Sequence, residues 1–222
     1  WNVLSSGNKE KLTPKEGKQL LYLDHIMYAV PDLENSMEEI ASITGIVPSD
    51  GGVHPGNGTR NALLGLSNSS YLEIIGPDKK QNLENTLGEL LVSKNTSGIR
   101  AWAVAVSDLA SVAHVAQELG FRVRDRKEMS RKTPEGSLLE WELLFLEDAL
   151  LPFFIDWKGS EHPARKVPSG CGLVELSISA EEPKVYQELL NKLQLEISVS
   201  EGEPAISAII RSPKGDWSLP SW

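Results

Sequence analysis

The 222-residue sequence holds a single cysteine, Cys171. One thiol excludes an internal disulfide framework and any Cys-cluster zinc site, and it points to a reducing compartment, for which the cytoplasm is the expectation. No run approaches the ~18 consecutive apolar residues that a membrane helix needs. Basic clusters are missing too: 22 Lys and Arg are scattered among 31 Asp and Glu, for a net charge of −9, so no basic stripe marks a nucleic-acid face. The glycine-rich GGVHPGNGT lacks the lysine and following helix of a phosphate loop, and no G-x-S-x-G nucleophile elbow occurs. The opening WNVLSSGNKEKLTPKEG lacks the charged-then-apolar layout of a signal peptide, and 1–21 reads as a polar leader.

What is present is an ordinary globular composition, 40% hydrophobic and 24% charged, in a chain long enough to bury its own core. Two stretches repeat. YLDHIMYAVPDL (22–33) and GIRAWAVAVSDL (98–109) align at an offset of 76, which matches Ala29 with Ala105, Val30 with Val106, Asp32 with Asp108 and Leu33 with Leu109. Behind each comes an amphipathic helix, with Leu33, Met37 and Ile40 on one face of the first and Leu109, Val112, Ala116 and Leu119 on one face of the second. Asp32 and Asp108 stand where N-caps belong, and Gly45 and Gly120 end the helices. Strand candidates follow at 46–49, 59–66 and 71–76 in the first half, and in FRVRDRKE, SLLEWELLFL and PFFIDW in the second. Both halves therefore read β-α-β-β-β, over 22–77 and 98–158, joined by a polar, helix-prone 78–97. Residues 159–222 read as a linker, KGSEHPARKVPSG, and a third, partial copy: GLVELSIS, a helix from about Glu182, then LEISVS and AISAIIR.

The two repeats differ in one respect. The first carries Asp24 and His25 in an otherwise apolar strand, whereas Ala101 stands where His25 would align in the second. A buried imidazole or carboxylate costs several kcal/mol unless partnered, so the pair asks for a partner. The same holds for Glu73 inside YLEII.

DHIMYAVPDL opening a unit and YLEII closing it, with GGVHPGNGTRNALLGL between them and PFFIDW and EHPARKVPSGCGL later, resemble the vicinal-oxygen-chelate superfamily of glyoxalase I and extradiol dioxygenases. More narrowly they resemble its glyoxalase-like domain branch. The resemblance implies an α+β fold of repeated β-α-β-β-β modules forming a curled, cup-shaped mixed sheet with helices outside. It also implies a divalent metal ion (Mn, Fe, Zn or Ni) held by first and last strands. Carried over, the metal ligands are His25 and Glu73, with His54 as the third. The second unit departs from the pattern, having Ala101 at one ligand position and Phe154 near the other, with Asp156 two residues on. The implied function is a metal-dependent lyase, isomerase or dioxygenase acting on a small molecule. The alternative is a metal-free protein of the same fold that binds or sequesters a small molecule, which the loss of a ligand at Ala101 beside Trp102 favours. A small-molecule partner is expected, nucleic acid and membrane are not, and a homodimer is left open.

Each residue carries two readings. His25 is either a metal ligand or a core histidine paired with Asp24 or Glu73. Glu73 is either a ligand and catalytic carboxylate or half of an ion pair with Arg60 or His25. His54 is a third ligand or a turn residue bonding its own backbone. Asp156 or Glu140 is the candidate proton carrier. Arg60 and Asn61 are candidate substrate contacts, a surface ion pair being the other fate of the arginine. Trp102, Trp141 and Phe154 are the candidate apolar wall, or else core, as for Trp157. His162 reads as loop geometry set by Pro163, His114 as solvated, and Cys171 as a small buried residue. The resulting expectation is that His25, His54, Arg60, Asn61 and Glu73 converge on one pocket, faced by Trp102, Trp141 and Phe154 or Asp156.

Overall fold

The computed structural model describes residues 21–124, 126–132, 136 and 138–222, so the polar leader lies outside the described residues except for Leu21. The first unit runs β1 (Tyr22–Ala29), α1 (Leu33–Thr44), β2 (Ser49–His54), β3 (Thr59–Gly65) and β4 (Tyr71–Pro77). After α2 (Leu87–Lys94), the second runs β5 (Gly98–Ala105), α3 (Leu109–Glu118), β6 (Lys127–Lys132), β7 (Leu138–Leu144) and β8 (Phe153–Asp156). The helix starts follow from capping chemistry: the Asp32 carboxylate accepts from the Asn35 N–H, and that of Asp108 accepts from Ala110 and Ser111. Gly45 ends α1 with φ 80°, a left-handed conformation that costs glycine no Cβ strain.

The strands form one curled sheet in the order β2-β3-β4-β1-β5-β8-β7-β6, two four-stranded units joined where β1 and β5 pair antiparallel. Its outer face packs Ile26, Tyr28, Trp102, Val104 and Phe154 against Leu33, Ile40, Leu109, Val112 and Ala116 of α1 and α3. On the inner face Ala29, Met27 and Ile75 meet Leu87 and Leu91 of α2, and Leu63 and Tyr71 meet Ala164 and Val167.

Three local differences from the sequence reading matter. The strand expected at 46–49 lies at 49–54, so His54 ends a strand and starts a hairpin. Among the described residues of FRVRDRKE, Val123 makes an isolated bridge and β6 begins at Lys127. The third segment contains β9 (Gly172–Ala180), α4 (Pro183–Lys192), β10 (Ser198–Glu201), β11 (Ala205–Ser212) and a further strand, β12 (Gly215–Leu219). Its order is β10-β9-β11-β12, with the first strand inside the sheet, whereas β1 sits at the edge of its own unit. This second sheet therefore does not extend the cup. It packs Leu176, Ile178, Ile206, Ala208, Ile210 and Leu219 into the outer core instead.

Candidate functional site

The site begins with a bulge. Leu23 pairs with Val104 and His25 with Ala103, so Asp24 is an extra residue in β1 without a partner on β5. A bulge of this kind breaks strict alternation and re-aims side chains. Leu23 and Ile26 consequently join the outer core. Asp24 and His25 are both buried, at 0% and 4% exposure, and their side chains meet: His25 Nδ1 lies 2.7 Å from Asp24 Oδ1.

Asp24 is more than a partner for its neighbour. Its Oδ2 accepts from the Trp157 indole N–H at 2.7 Å and from His162 Nε2 at 2.9 Å. The Ala164 N–H donates to His162 Nδ1, so Nε2 is the nitrogen that carries the hydrogen. Burial pushes the Asp24 carboxyl up, but the hydrogen bonds from His162 and His25 and their charges outweigh it and hold the group at about 2. For His25 burial acts downward, and the bond to Asp24 with the charges of Asp24 and Glu73 prevails, so its pKa is raised. An ionised Asp24 accepts only, which makes His25 Nδ1 the donor and turns Nε2 toward the rest of the site.

There Nε2 lies 3.5 Å from Oε2 of Glu73, and the His25 ring stacks on Tyr71 at 4.9 Å. Parallel pairing of β1 with β4 sets both relations, placing His25 beside Tyr71 and Met27 beside Glu73. The other Glu73 oxygen, Oε1, accepts from Asn61 Nδ2 at 2.6 Å. Asn61 is fixed in turn because the Gly52 N–H donates to its Oδ1 at 2.6 Å. Gly51 has to be glycine here, since a Cβ would run into that same oxygen. His54 completes the row: Asn61 Nδ2 is 3.3 Å from its Nε2, and its Nδ1 is 3.0 Å from Thr59 Oγ1.

Four of the five first-unit residues thus converge: His25, His54, Asn61 and Glu73. Arg60 does not. It points from the other face of β3 to Glu34 on α1, and to Asp50 at 3.5 Å. The far wall also differs from expectation. Trp102 and Phe154 are fully buried in the outer core, the Trp102 indole donating to the Leu150 carbonyl. Asp156 lies across from Glu142 on β7, and both carboxylates hold Lys158, at 3.1 and 2.8 Å. Phe153 faces His25 instead, ring to ring at 5.3 Å, and stacks on Phe145 at 5.3 Å. Trp141 is at the site's margin, 5.7 Å from Trp157.

The register explains the positions of Phe154 and Asp156. Met27 pairs with Glu73 in the first unit, and Ala103, which is 76 residues beyond Met27, pairs with Phe153. The counterpart of Glu73 is therefore Phe153 and not Phe154, and a one-residue slip in a strand reverses its faces. Sequence reasoning passed over His162 and Trp157 because their partner is more than 130 residues away.

A family model for the glyoxalase-like domain matches residues 23–194. The chain belongs to the glyoxalase-like domain family, within the vicinal-oxygen-chelate superfamily. A hypothetical protein from Staphylococcus aureus is similar in structure, with a TM-score of 0.62 and 17% identity over 91% of this chain and 89% of that one. Methylmalonyl-CoA epimerase from Mycobacterium tuberculosis has a TM-score of 0.43 and 23% identity over 60% of this chain and 85% of its own. At 17% identity the likeness to the Staphylococcus aureus protein shows the fold alone. No curated protein matches the chain.

The superfamily's divalent metal can be tested against the donors of this glyoxalase-like domain. His25 Nε2 and Glu73 Oε2, 3.5 Å apart, span two corners of a tetrahedral site with bonds of about 2.1 Å. A third corner is not supplied. Among the described residues no three His, Cys, Asp or Glu side chains gather as a metal site. His54 Nε2 stops 3.7 Å from Glu73 Oε1, with the Asn61 amide bonded to both, and the second unit offers Ala101 and Phe153. The three-ligand set of His25, His54 and Glu73 is therefore not gathered among the described residues, which falls short of the three protein ligands of a catalytic zinc.

Proposed function

We propose that the inner face of the sheet is the active site of a small-molecule isomerase or lyase in which Glu73 and His25 move protons at a carbon next to a carbonyl. The observation that carries this reading is the 3.5 Å approach of His25 Nε2 to Glu73 Oε2, each group held from behind, His25 by Asp24 and Glu73 by Asn61. In the reaction Glu73 Oε2 takes the α-proton. The C–H electron pair moves onto the carbonyl oxygen, and protonated His25 donates through Nε2 to the oxyanion that forms. Delivering the proton to the former carbonyl carbon, while an α-hydroxyl gives its hydrogen back to His25, gives isomerisation; expelling a group from the carbon β to the carbonyl gives elimination. Phe153 and Phe145 supply an apolar wall that keeps water from the pair.

The test is exchange of α-hydrogen for solvent deuterium, followed by NMR over a panel of enolisable 2-oxo and β-dicarbonyl compounds, with and without EDTA. Exchange that survives EDTA and falls ~10²–10⁴-fold in Glu73→Gln supports the assignment. Unchanged exchange in Glu73→Gln refutes it. A second reading is favoured by the same 3.5 Å span: a divalent ion joins the pair and takes its remaining ligands from substrate oxygens. Exchange abolished by EDTA and restored by Mn²⁺ or Zn²⁺ would establish that form.

A further inference from the structure

Resting on the proton-transfer reading of His25 and Glu73, we propose that the substrate carries an anionic group, carboxylate or phosphate, which binds Arg124 and Lys127 at the rim of the second unit. The line of contact runs from His25 to Phe153 and from Phe153 to Phe145 in two ring steps of 5.3 Å each. Phe145 then lines a cleft of about 610 Å³ together with Val123, Arg124, Arg126, Lys127 and Glu147. Two of these charges are already engaged: Arg126 turns to Glu142 at 3.5 Å, and Glu147 to Arg122 at 3.8 Å.

Arg124 and Lys127 have no ion pair among the described residues, and both are exposed. Their backbones direct them to the site. The Arg124 N–H donates to the Phe145 carbonyl at 2.8 Å, which fixes the arginine beside the ring. Lys127 pairs with Leu143 across β6 and β7, so its side chain leaves the sheet on the face that bears Leu143 and Phe145. In a chain of net charge −9, two cations without an ion pair among the described residues, at the end of an aromatic path, are a place for an anion. The path is long enough for an apolar body between that anion and the reactive carbon.

The experiment is calorimetric titration of the full chain with 6-phenylhexanoate, 6-phenylhexyl phosphate and neutral 6-phenylhexanol. Both anions should bind at least tenfold more tightly than the alcohol, and the ratio between them distinguishes carboxylate from phosphate. Arg124→Glu/Lys127→Glu should abolish the preference, while Lys94→Glu, on α2, should keep it. Phe145→Ala should weaken all three probes. Equal binding of anions and alcohol, or a preference that survives the double charge reversal in a folded variant, overturns the proposal. The two readings fail separately: exchange unchanged in Glu73→Gln with the anion preference intact overturns the catalytic reading alone, and equal binding of anions and alcohol with exchange dependent on Glu73 overturns this one alone.

Discussion

Replacing Asp24 by asparagine tests how the site is wired. The carboxylate is 0% exposed and accepts three hydrogen bonds, at 2.7, 2.7 and 2.9 Å. An amide can keep one oxygen toward Trp157 and His162, but its NH₂ then faces His25 Nδ1 and forces that nitrogen to accept. The His25 tautomer must reverse, placing its hydrogen on Nε2 in the neutral ring. Bonds to a charged acceptor contribute about 1.5–3 kcal/mol each and neutral ones about 1, so three conversions, partly offset by relieved desolvation, should cost about 2–4 kcal/mol. Urea denaturation measures the stability, and ¹⁵N NMR of the histidine rings reports the tautomer without any knowledge of the substrate. A variant that retains His25 Nδ1–H and loses less than about 0.5 kcal/mol would refute the claim that Asp24 sets the state of His25.

The remaining predictions concern residues on either side of the sheet and the charge at its bulge. Trp102→Ala should cost about 3–5 kcal/mol in urea denaturation by opening a core cavity, and binding of the phenylhexyl probes should change far less than for Phe145→Ala. Arg60→Ala should cost less than about 1 kcal/mol, because its partners Glu34 and Asp50 are 64% and 81% exposed. The Asp24 pKa is lowered from 3.8 to about 2, so its contribution is complete above about pH 4 and is lost as pH falls toward 2. That loss should be about 2 kcal/mol in urea midpoints taken across the range, and absent from Asp24→Asn. His25, with a raised pKa, contributes stability fully below its ordinary 6.5 and loses it as pH climbs through the higher native value, giving a second, alkaline slope that His25→Ala should lack.

The architecture was legible because periodicity and caps are local: Asp32 and Asp108 cap the helices whose apolar faces they precede. His25, His54, Asn61 and Glu73 were legible together because three adjacent strands of one unit carry all but His25, and β1 lies beside β4. Phe154 and Asp156 were expected on the cup face and lie on the other one, whereas Trp102 follows the core alternative beside Ile26. Sequence similarity between the two repeats fixes register to within a residue, and in a strand one residue decides between core and cup. Asp24 itself hides from an alternation argument, since a bulge has no signature in the hydrophobic pattern. His162 and Trp157 needed the fold, because nothing near them in sequence announces a carboxylate from β1.

The segment after β8 bears on how far this molecule can be divided. Two of the three donors to Asp24, Trp157 and His162, belong to it. It then runs along β3, where the Gly65 N–H donates to the Pro168 carbonyl at 2.8 Å, before entering the second sheet at β9. A chain cut after Asp156 would keep all eight strands of the cup and still leave a buried carboxylate with one donor in place of three. The eight-stranded half is thus not a transplantable catalytic cassette. Anyone grafting the His25–Glu73 pair into another scaffold, or shortening this chain for engineering, must carry the strap as far as Pro168 or replace Asp24 and His25 as a unit.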